Sequence, residues 1–353
     1  MINLITAAFN ADLPLFIWGQ PGIGKSDFVR QAAAKAGWTE ERKAFIDVRL
    51  SQMEPVDLRG LPVPDMNARK TDWLPPVWLP FEGSDWADAG VLFLDEASSA
   101  SPSVQAAAYQ LVLDRQLGEA KLKKGWRLVL AGNRVTDGGV AFRLAMPLAN
   151  RMLHVEARPS LDDWTDWAID SGIHQDIIGF VTLRPSLLST FSDALKSKKT
   201  AFATPRSWVM VSTILRASAT TKPETIEKLI AGAVGQGVAL EFAAYRKLKE
   251  KLPDIDAVLQ GKNVKCANKS DVRHIATLAL AFRVIEAGEK DLSLAQSWSQ
   301  YSIKWLDALD VKYAALFISV VLRKKNLCLQ GAENTAWVMQ HKDLIRFREA
   351  ETC

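Results

Sequence analysis

GQPGIGKS, residues 19–26, is the stretch that decides the fold of this chain. The apolar run LFIW (15–18) precedes it, and the helix-like segment SDFVRQAAAKAG (26–37) follows it. The pattern GxxxxGK followed by serine or threonine is typical of a phosphate-binding loop, because its glycines let backbone N–H groups turn toward phosphate oxygens. A chance glycine-rich turn would not have the strand, the lysine, the serine and the helix in register. We predict a nucleotide-binding loop formed by Gly19, Gln20, Pro21, Gly22, Ile23, Gly24, Lys25, Ser26 and Asp27.

Two residues of this loop have side chains suited to ATP and magnesium. Lys25 is placed to reach the β and γ phosphates, and Ser26 has a hydroxyl that can ligate Mg²⁺. We therefore expect ATP and Mg²⁺ as the ligands of the loop.

A pair of carboxylates follows the buried-strand pattern VLFL (91–94). These are Asp95 and Glu96. The carboxyl ends of strands in an open α/β sheet face the ligand site, so Asp95 is predicted to bind the magnesium together with Ser26, and Glu96 to polarise the attacking water. A solvated strand end is the alternative interpretation of an acidic pair.

A third polar residue, Asn133, ends the strand-like run LVLAGN (128–133). If this strand neighbours the strand before the phosphate loop, the amide can hydrogen-bond both the γ-phosphate and the water. An asparagine at a strand end is by itself more often a turn residue.

Five short apolar runs in the first 157 residues predict a parallel sheet. Helix-like segments lie between them, among them 25–37 and 101–118, where Ser101 caps, Pro102 suits the first turn and Gly118 is expected to end the helix. Buried strands alternating with helices are the pattern of an α/β fold with both sheet faces covered. The predicted strands lie within 14–19, 44–50, 91–96, 127–133 and 151–157.

Residues 60–90 interrupt this alternation. They contain five of the fifteen prolines and three tryptophans, Trp73, Trp78 and Trp86. One interpretation is an irregular loop. The other is an insert that projects from the domain and offers its tryptophans to a partner or a neighbouring subunit.

The strand pattern stops after residue 157, and helix-like segments continue to the end. We predict an α/β core at 1–157 with its insert at about 60–90, a helical lid at 158–252 and a helical extension at 253–353. Six further tryptophans lie at helical spacing among apolar residues and are predicted to be core: Trp164, Trp167, Trp208, Trp298, Trp305 and Trp337.

Composition argues against several classes of protein. The net charge is only +4, and the first 155 residues have 17 basic and 17 acidic side chains, which argues against nucleic acid as a partner. Three widely spaced cysteines and four scattered histidines predict neither a disulfide framework nor a zinc site. The N-terminal residues lack the pattern of a signal peptide, and no apolar run approaches the roughly 20 residues of a membrane span. We expect a cytoplasmic protein.

Together, GQPGIGKS, VLFLDE and LVLAGN resemble the motifs of the AAA+ ATPases, and other segments resemble the MoxR branch of that superfamily. The resemblance covers roughly residues 1–250 and implies an ATPase that converts ATP and water to ADP and phosphate. It places Asn133 as the first sensor, Arg151 as the arginine finger and Arg206 as the second sensor. The segments that resemble the MoxR branch are 56–62, 101–133, 146–157 and 203–208.

The resemblance also implies a ring, with six subunits expected, that remodels or matures a partner protein, in this branch often one with a von Willebrand factor A domain. A guanidinium keeps its charge and offers fixed donors to the leaving phosphate, and Arg151 follows the sensor strand at a domain edge, so we expect it to act on a neighbouring subunit's nucleotide. Arg134, Arg143 and Arg115 are alternatives for that contact. A DNA-acting AAA+ motor or restriction-type translocase subunit, and a scaffold that hardly hydrolyses ATP, are the competing functions.

Overall fold

The structure is a computed structural model that describes residues 1–67, 69–138, 141–142, 144, 146–217, 221–330 and 332–346. The chain divides into two compact units, Met1–Arg158 and a second unit that begins at Pro159. Among the described residues, no helix is long and apolar enough to cross a membrane.

The first unit is built on a parallel sheet. Its strands, in chain order, are β1 (Leu15–Trp18), β2 (Phe45–Arg49), β3 (Leu61–Asp65), β4 (Lys70–Leu74), β5 (Ala89–Asp95), β6 (Gln116–Leu117), β7 (Ala120–Lys121), β8 (Gly125–Gly132) and β9 (Leu153–Glu156). Five of them form the sheet in the order β2-β5-β8-β1-β9, and each neighbouring pair is parallel. The five predicted strands and their parallel arrangement are confirmed.

Helices cover both faces of this sheet. They are α1 (Ile2–Ala11), α2 (Lys25–Lys35), α3 (Pro55–Arg59), α4 (Pro102–Asp114) and α5 (Met146–Ala149). Alternate residues of a strand point to opposite faces, and in β5 Leu92 and Leu94 join one hydrophobic cluster while Val91 and Phe93 join another. All four side chains are fully buried, which is why the strand is apolar at every position and not only at alternate ones.

The helix α4 begins as predicted and ends earlier. Ser101 caps its first turn by accepting a hydrogen bond from the backbone N–H of Val104 at 3.4 Å. The prediction that Gly118 ends the helix is wrong: the helix ends at Asp114, and Arg115 adopts the left-handed conformation with φ 53°. The chain then forms the small antiparallel ladder β6–β7, and Gly118, with φ 55°, lies in the turn between its strands.

The insert 60–90 contains an antiparallel hairpin, β3–β4, in which Leu61 pairs with Leu74. Trp73 on this hairpin is 42% exposed. From the sequence, burial of the three insert tryptophans within their own domain looks difficult. This expectation is wrong for Trp78 and Trp86, which are partly buried and pack against one of the two cores of the first unit. The Trp86 ring meets Trp126 edge to face at 6.1 Å, and its Nε1–H donates to the Val77 carbonyl at 2.9 Å.

The second unit is helical throughout its described residues. Its helices are α6 (Leu161–Asp170), α7 (Gln175–Leu183), α8 (Phe191–Ser197), α9 (Pro205–Ala217), α10 (Pro223–Val234), α11 (Gln236–Lys247), α12 (Ile255–Leu259), α13 (Ser270–Lys290), α14 (Leu292–Leu309), α15 (Val311–Lys325), α16 (Ala332–Gln340) and α17 (Lys342–Arg346).

One hydrophobic core runs through this helical unit. It contains Trp164 and Trp208 from before residue 252 and Trp305 from after it, with Trp167, Trp298 and Trp337 packed against its edge. All six tryptophans expected to be core therefore contact it. The division of the unit into a lid at 158–252 and an extension at 253–353 stays a prediction.

Replacement of Gly90 by alanine tests how tightly the sheet of the first unit is packed. A Cβ on Gly90 would lie 2.3 Å from the Ala44 carbonyl oxygen, and backbone inside a sheet cannot yield cheaply. We expect Gly90→Ala to lower the free energy of unfolding by about 1–3 kcal/mol, measured by thermal or urea denaturation. Gly232→Ala is the control, because it lies in a helix with nothing within 4 Å of its Cβ and alanine there is expected to be neutral or stabilising. Equal melting of the two variants would contradict the packing argument.

Candidate functional site

The phosphate loop lies between β1 and α2, as its motif requires. The backbone N–H of Gly19 donates to the Gly132 carbonyl at 3.2 Å and anchors the start of the loop to β8. Gly22 and Gly24 have φ of 80° and 92°, a conformation that glycine adopts without strain. Gly24 is the N-cap of α2, so the backbone N–H groups of the loop lie next to the N-terminus of that helix, an arrangement that binds anions.

The other loop residues differ in what they expose. Ile23 is buried in the core of the first unit, so its backbone and not its side chain is available to a ligand. Asp27 lies in the first turn of α2 and is exposed, where a carboxylate interacts favourably with the helix dipole. Gln20 and Pro21 are half-buried.

The Lys25 ammonium joins the loop to the end of β8. It donates to the carbonyl oxygens of Gly19 at 2.7 Å and Gln20 at 3.2 Å, and to Oδ1 of Asn133 at 2.8 Å. The condition set for Asn133 is met, because β8 is the sheet neighbour of β1 and Trp18 is in register with Gly132.

A second contact joins the loop to the end of β5. The Ser26 hydroxyl donates to Oδ2 of Asp95 at 2.7 Å, and the other carboxylate oxygen accepts from the backbone N–H of Glu96 at 2.8 Å. A hydroxyl beside a carboxylate fits Mg²⁺, which takes oxygen ligands and needs only one or two from protein when phosphates complete its shell. No cluster of three or more histidine, cysteine or acidic side chains suited to a metal occurs in the described part of the chain.

Glu96 follows Asp95 in a left-handed conformation, with φ 55°, and turns away from the strand direction. Its carboxylate accepts a hydrogen bond from the Ser51 hydroxyl. Sequence reasoning missed Ser51, which lies just beyond the end of β2, where Arg49 is in register with Asp95. The signal is a polar residue at a strand end, but only the sheet order tells which strand end it faces.

Asn133 is held by a second residue that sequence reasoning missed. The Ser98 hydroxyl accepts from the backbone N–H of Asn133 and donates to its carbonyl oxygen, both at 2.9 Å. Ser98 is fully buried, so these hydrogen bonds replace water for both backbone groups. The Asn133 side chain takes no part in these two bonds and instead accepts a hydrogen bond from Lys25.

The candidate arginines have different surroundings. Arg151 follows α5, is exposed, and has no ion pair with any residue the structure describes. Arg134 forms an ion pair with Glu156 at 2.9 Å, and Arg158 and Arg134 together hold the pKa of that carboxyl below its ordinary value. Arg115 donates to the Trp126 carbonyl at 2.5 Å, and burial lowers the pKa of its guanidinium.

Two further arginines complete the set of predicted residues. Arg143 lies outside the described residues. Arg206 is exposed at the start of α9, in the second unit. Its role at the nucleotide stays a prediction.

Removal of the Ser98 hydroxyl tests whether it supports the site. In Ser98→Ala the buried N–H and C=O of Asn133 lose their partner, so we expect the free energy of unfolding to fall by about 1–3 kcal/mol and ATP turnover to fall with it. Ser103→Ala on the exposed side of α4 is the control. Identical melting and turnover in both variants would show that Ser98 does not support Asn133.

No protein-family model matches the sequence, and no curated protein matches it. A candidate ATPase from Cytophaga hutchinsonii is 12% identical over 67% of this chain and 80% of that chain, with a TM-score of 0.33. NtrX from Brucella abortus in complex with ADP is 16% identical over 97% and 67% of the two chains, with a TM-score of 0.40. A RuvB variant from Thermotoga maritima is 18% identical over 72% and 71%, with a TM-score of 0.35. Similarity at this level does not identify the family of the chain.

Proposed function

We propose that this chain is an ATPase of the AAA+ class that converts ATP and water to ADP and phosphate. The observation that carries the proposal is a pair of hydrogen bonds, Lys25 to Asn133 and Ser26 to Asp95. They join the phosphate loop to residues 108 and 69 positions away in the sequence. Each of these four side chains has a separate use in phosphoryl transfer, and their meeting at one edge of the sheet supports a single site.

The side chains divide the work of hydrolysis. The Lys25 ammonium and the loop N–H groups bind phosphate oxygens, and Ser26 and Asp95 would hold Mg²⁺. When bound, the ion supplies charge neutralisation at the phosphate oxygens. Glu96 takes a proton from water as the water oxygen bonds to the γ-phosphorus, and the bond to the β–γ bridging oxygen breaks with its electron pair leaving on ADP. The Asn133 amide orients the water and the γ-phosphate.

Replacement of the proposed base separates binding from hydrolysis. Glu96→Gln keeps the shape of the side chain and an acceptor for Ser51 but removes the basic carboxylate. We expect turnover to fall about 10²- to 10⁴-fold with the dissociation constant of ATP nearly unchanged, measured by phosphate release and by titration of the nucleotide. Glu82→Gln, an exposed acid of the same unit, is the control. Normal hydrolysis by Glu96→Gln would remove Glu96 from the mechanism.

Arg151 is proposed to act on the nucleotide of a neighbouring subunit, within a ring of six subunits. Its surroundings favour it over two of its alternatives. Arg134 is paired with Glu156 and Arg115 is bonded to the Trp126 carbonyl, whereas the exposed Arg151 has no ion pair with a described residue. A guanidinium with no described partner of its own can reach another chain without breaking an ion pair.

A mixing experiment tests this arrangement. The Lys25→Ala chain is expected not to hydrolyse ATP at its own site, but it still supplies Arg151. The Arg151→Ala chain lacks that arginine, but its phosphate loop is intact. Each variant alone is expected to be nearly inactive, and a mixture is expected to regain a measurable fraction of wild-type turnover, because some sites then combine an intact loop with an intact arginine. Lys25→Ala mixed with Lys25→Ala/Arg151→Ala is the control. Two variants that stay inactive together would contradict the trans arrangement.

The client is proposed to be a protein that the ring remodels or matures, as in the MoxR branch, where a von Willebrand factor A domain is one such partner. The order of segments in the sequence supports this assignment. The hairpin β3–β4 is the surface proposed for contact, because Leu61, Val63 and Leu74 are 61%, 41% and 59% exposed on one face of it, and Trp73 is 42% exposed on the other face. Aromatic and aliphatic side chains exposed together are frequent at protein interfaces.

A further inference from the structure

A chain of two hydrogen bonds connects the strand before the phosphate loop to the turn that presents Arg151. The indole Nε1–H of Trp18 donates to Nδ1 of His154 at 2.9 Å. The other ring nitrogen of His154, Nε2, lies 2.7 Å from the carbonyl oxygen of Ala149. Trp18 is the last residue of β1 and His154 belongs to β9, so the first bond crosses between two neighbouring strands.

The roles of the two histidine nitrogens follow from their partners. An indole N–H can only donate, and a backbone carbonyl can only accept. Nδ1 of His154 must therefore be unprotonated, and Nε2 must carry the proton that it donates to Ala149. The neutral imidazole satisfies both partners at once, and its plane lies within 20° of the indole plane of Trp18, with the ring centroids 6.1 Å apart.

The Ala149 carbonyl is a group whose position matters for Arg151. It ends α5, a helix of four residues, and the last carbonyls of a helix have no partner within it. Arg151 comes two residues later, and its N–H donates to the Leu148 carbonyl at 3.0 Å. The side chains of Leu148 and Met152 are buried and hold the turn against the core. His154 supplies the hydrogen-bond donor to the Ala149 carbonyl.

Trp18 is itself held in place. Its ring packs on Phe16 at 4.1 Å, and its backbone carbonyl accepts from the N–H of Ala157 at 2.7 Å. The next residue, Gly19, begins the phosphate loop. The end of β1 thus fixes Gly19, the first residue of the phosphate loop, and, through His154, the turn that presents Arg151.

We infer that His154 is a positioning residue for Arg151, which it holds in the orientation needed for action on a neighbouring subunit by linking the Ala149 carbonyl to Trp18. The inference rests on the proposed function of Arg151. It predicts that a substitution of His154 lowers turnover when it is made in the subunit that supplies Arg151. The same substitution is expected to have no effect in the subunit whose loop holds the nucleotide. A role in general stability would affect both subunits alike.

The test uses the mixture of Lys25→Ala, which supplies Arg151, with Arg151→Ala, which supplies the loop. His154→Phe keeps an aromatic ring against Trp18 and removes both hydrogen bonds. Placed in the Lys25→Ala chain, it is expected to lower the restored turnover about 3- to 10-fold, because the Ala149 carbonyl loses the one ordinary hydrogen bond that His154 donates to it. Placed in the Arg151→Ala chain, it is expected to leave the restored turnover unchanged.

Two additional variants of the Lys25→Ala chain sharpen the result. His154→Gln retains one acceptor and one donor and should keep most of the restored turnover. Trp18→Phe removes the indole donor together with part of the ring that packs on Phe16, and it should lower the turnover in the same direction as His154→Phe. The folding of each chain is checked by its melting temperature and by its assembly with the partner variant on gel filtration.

Each outcome decides between stated alternatives. Equal losses from His154→Phe in either chain, or no loss in the Lys25→Ala chain, overturn the positioning role while the trans action of Arg151 stands. Failure of the parent mixture, with both histidines intact, contradicts the trans action itself and removes the proposed function on which the inference rests. A loss confined to the Lys25→Ala chain, with rescue by His154→Gln, supports the inference.

Discussion

The order of the three central strands, β5-β8-β1, is the constraint on which the site depends. Because the strands are parallel, their carboxyl ends meet at one edge, and each ends in a polar group: the carboxylates after β5, the amide after β8 and the phosphate loop after β1. With β8 in the middle, Lys25 reaches Asn133 on the adjacent strand, and Ser26 reaches Asp95 on the strand beyond it. An order that separated these strands would leave three unrelated strand ends.

Polar groups at the edge of an apolar sheet need partners, and the structure provides them from outside the motifs. The hydroxyl of the buried Ser98 hydrogen-bonds both the N–H and the carbonyl oxygen of Asn133. The Ser51 hydroxyl, just beyond the end of β2, donates to the Glu96 carboxylate. Unpaired, the two backbone groups of Asn133 beside the fully buried Ser98 would cost free energy comparable to a lost hydrogen bond, whereas Glu96 is only partly buried and can also bond water. The supporting serines therefore belong to the site as much as the residues that resemble a known motif, although they have no role in binding phosphate themselves.

Residues of the same type in the first unit have different surroundings in the structure, although the sequence does not distinguish them. Arg115 is bonded to the Trp126 carbonyl and the exposed Arg134 is paired with Glu156, whereas the exposed Arg151 has no ion pair with a described residue and lies in a turn anchored by buried neighbours. The insert tryptophans also differ from one another, since Trp86 packs on Trp126 and Trp73 is 42% exposed on its hairpin. Residue type made these side chains candidates, and the tertiary structure decided which of them have partners within the chain.

The sequence by itself determined the α/β class, the five strands of the sheet, the position of the phosphate loop and the residues at the ends of β5 and β8. These features are local, because a buried strand, a glycine-rich turn and a helix start are each encoded by neighbouring residues. Only the tertiary structure decided the early end of α4 at Asp114 and the partial burial of Trp78 and Trp86. It also decided the contacts of Ser51, Ser98 and His154. The physical reason is that each of them depends on which strand or loop lies alongside, and hydrophobic periodicity records whether a side chain is buried but not what it is buried against.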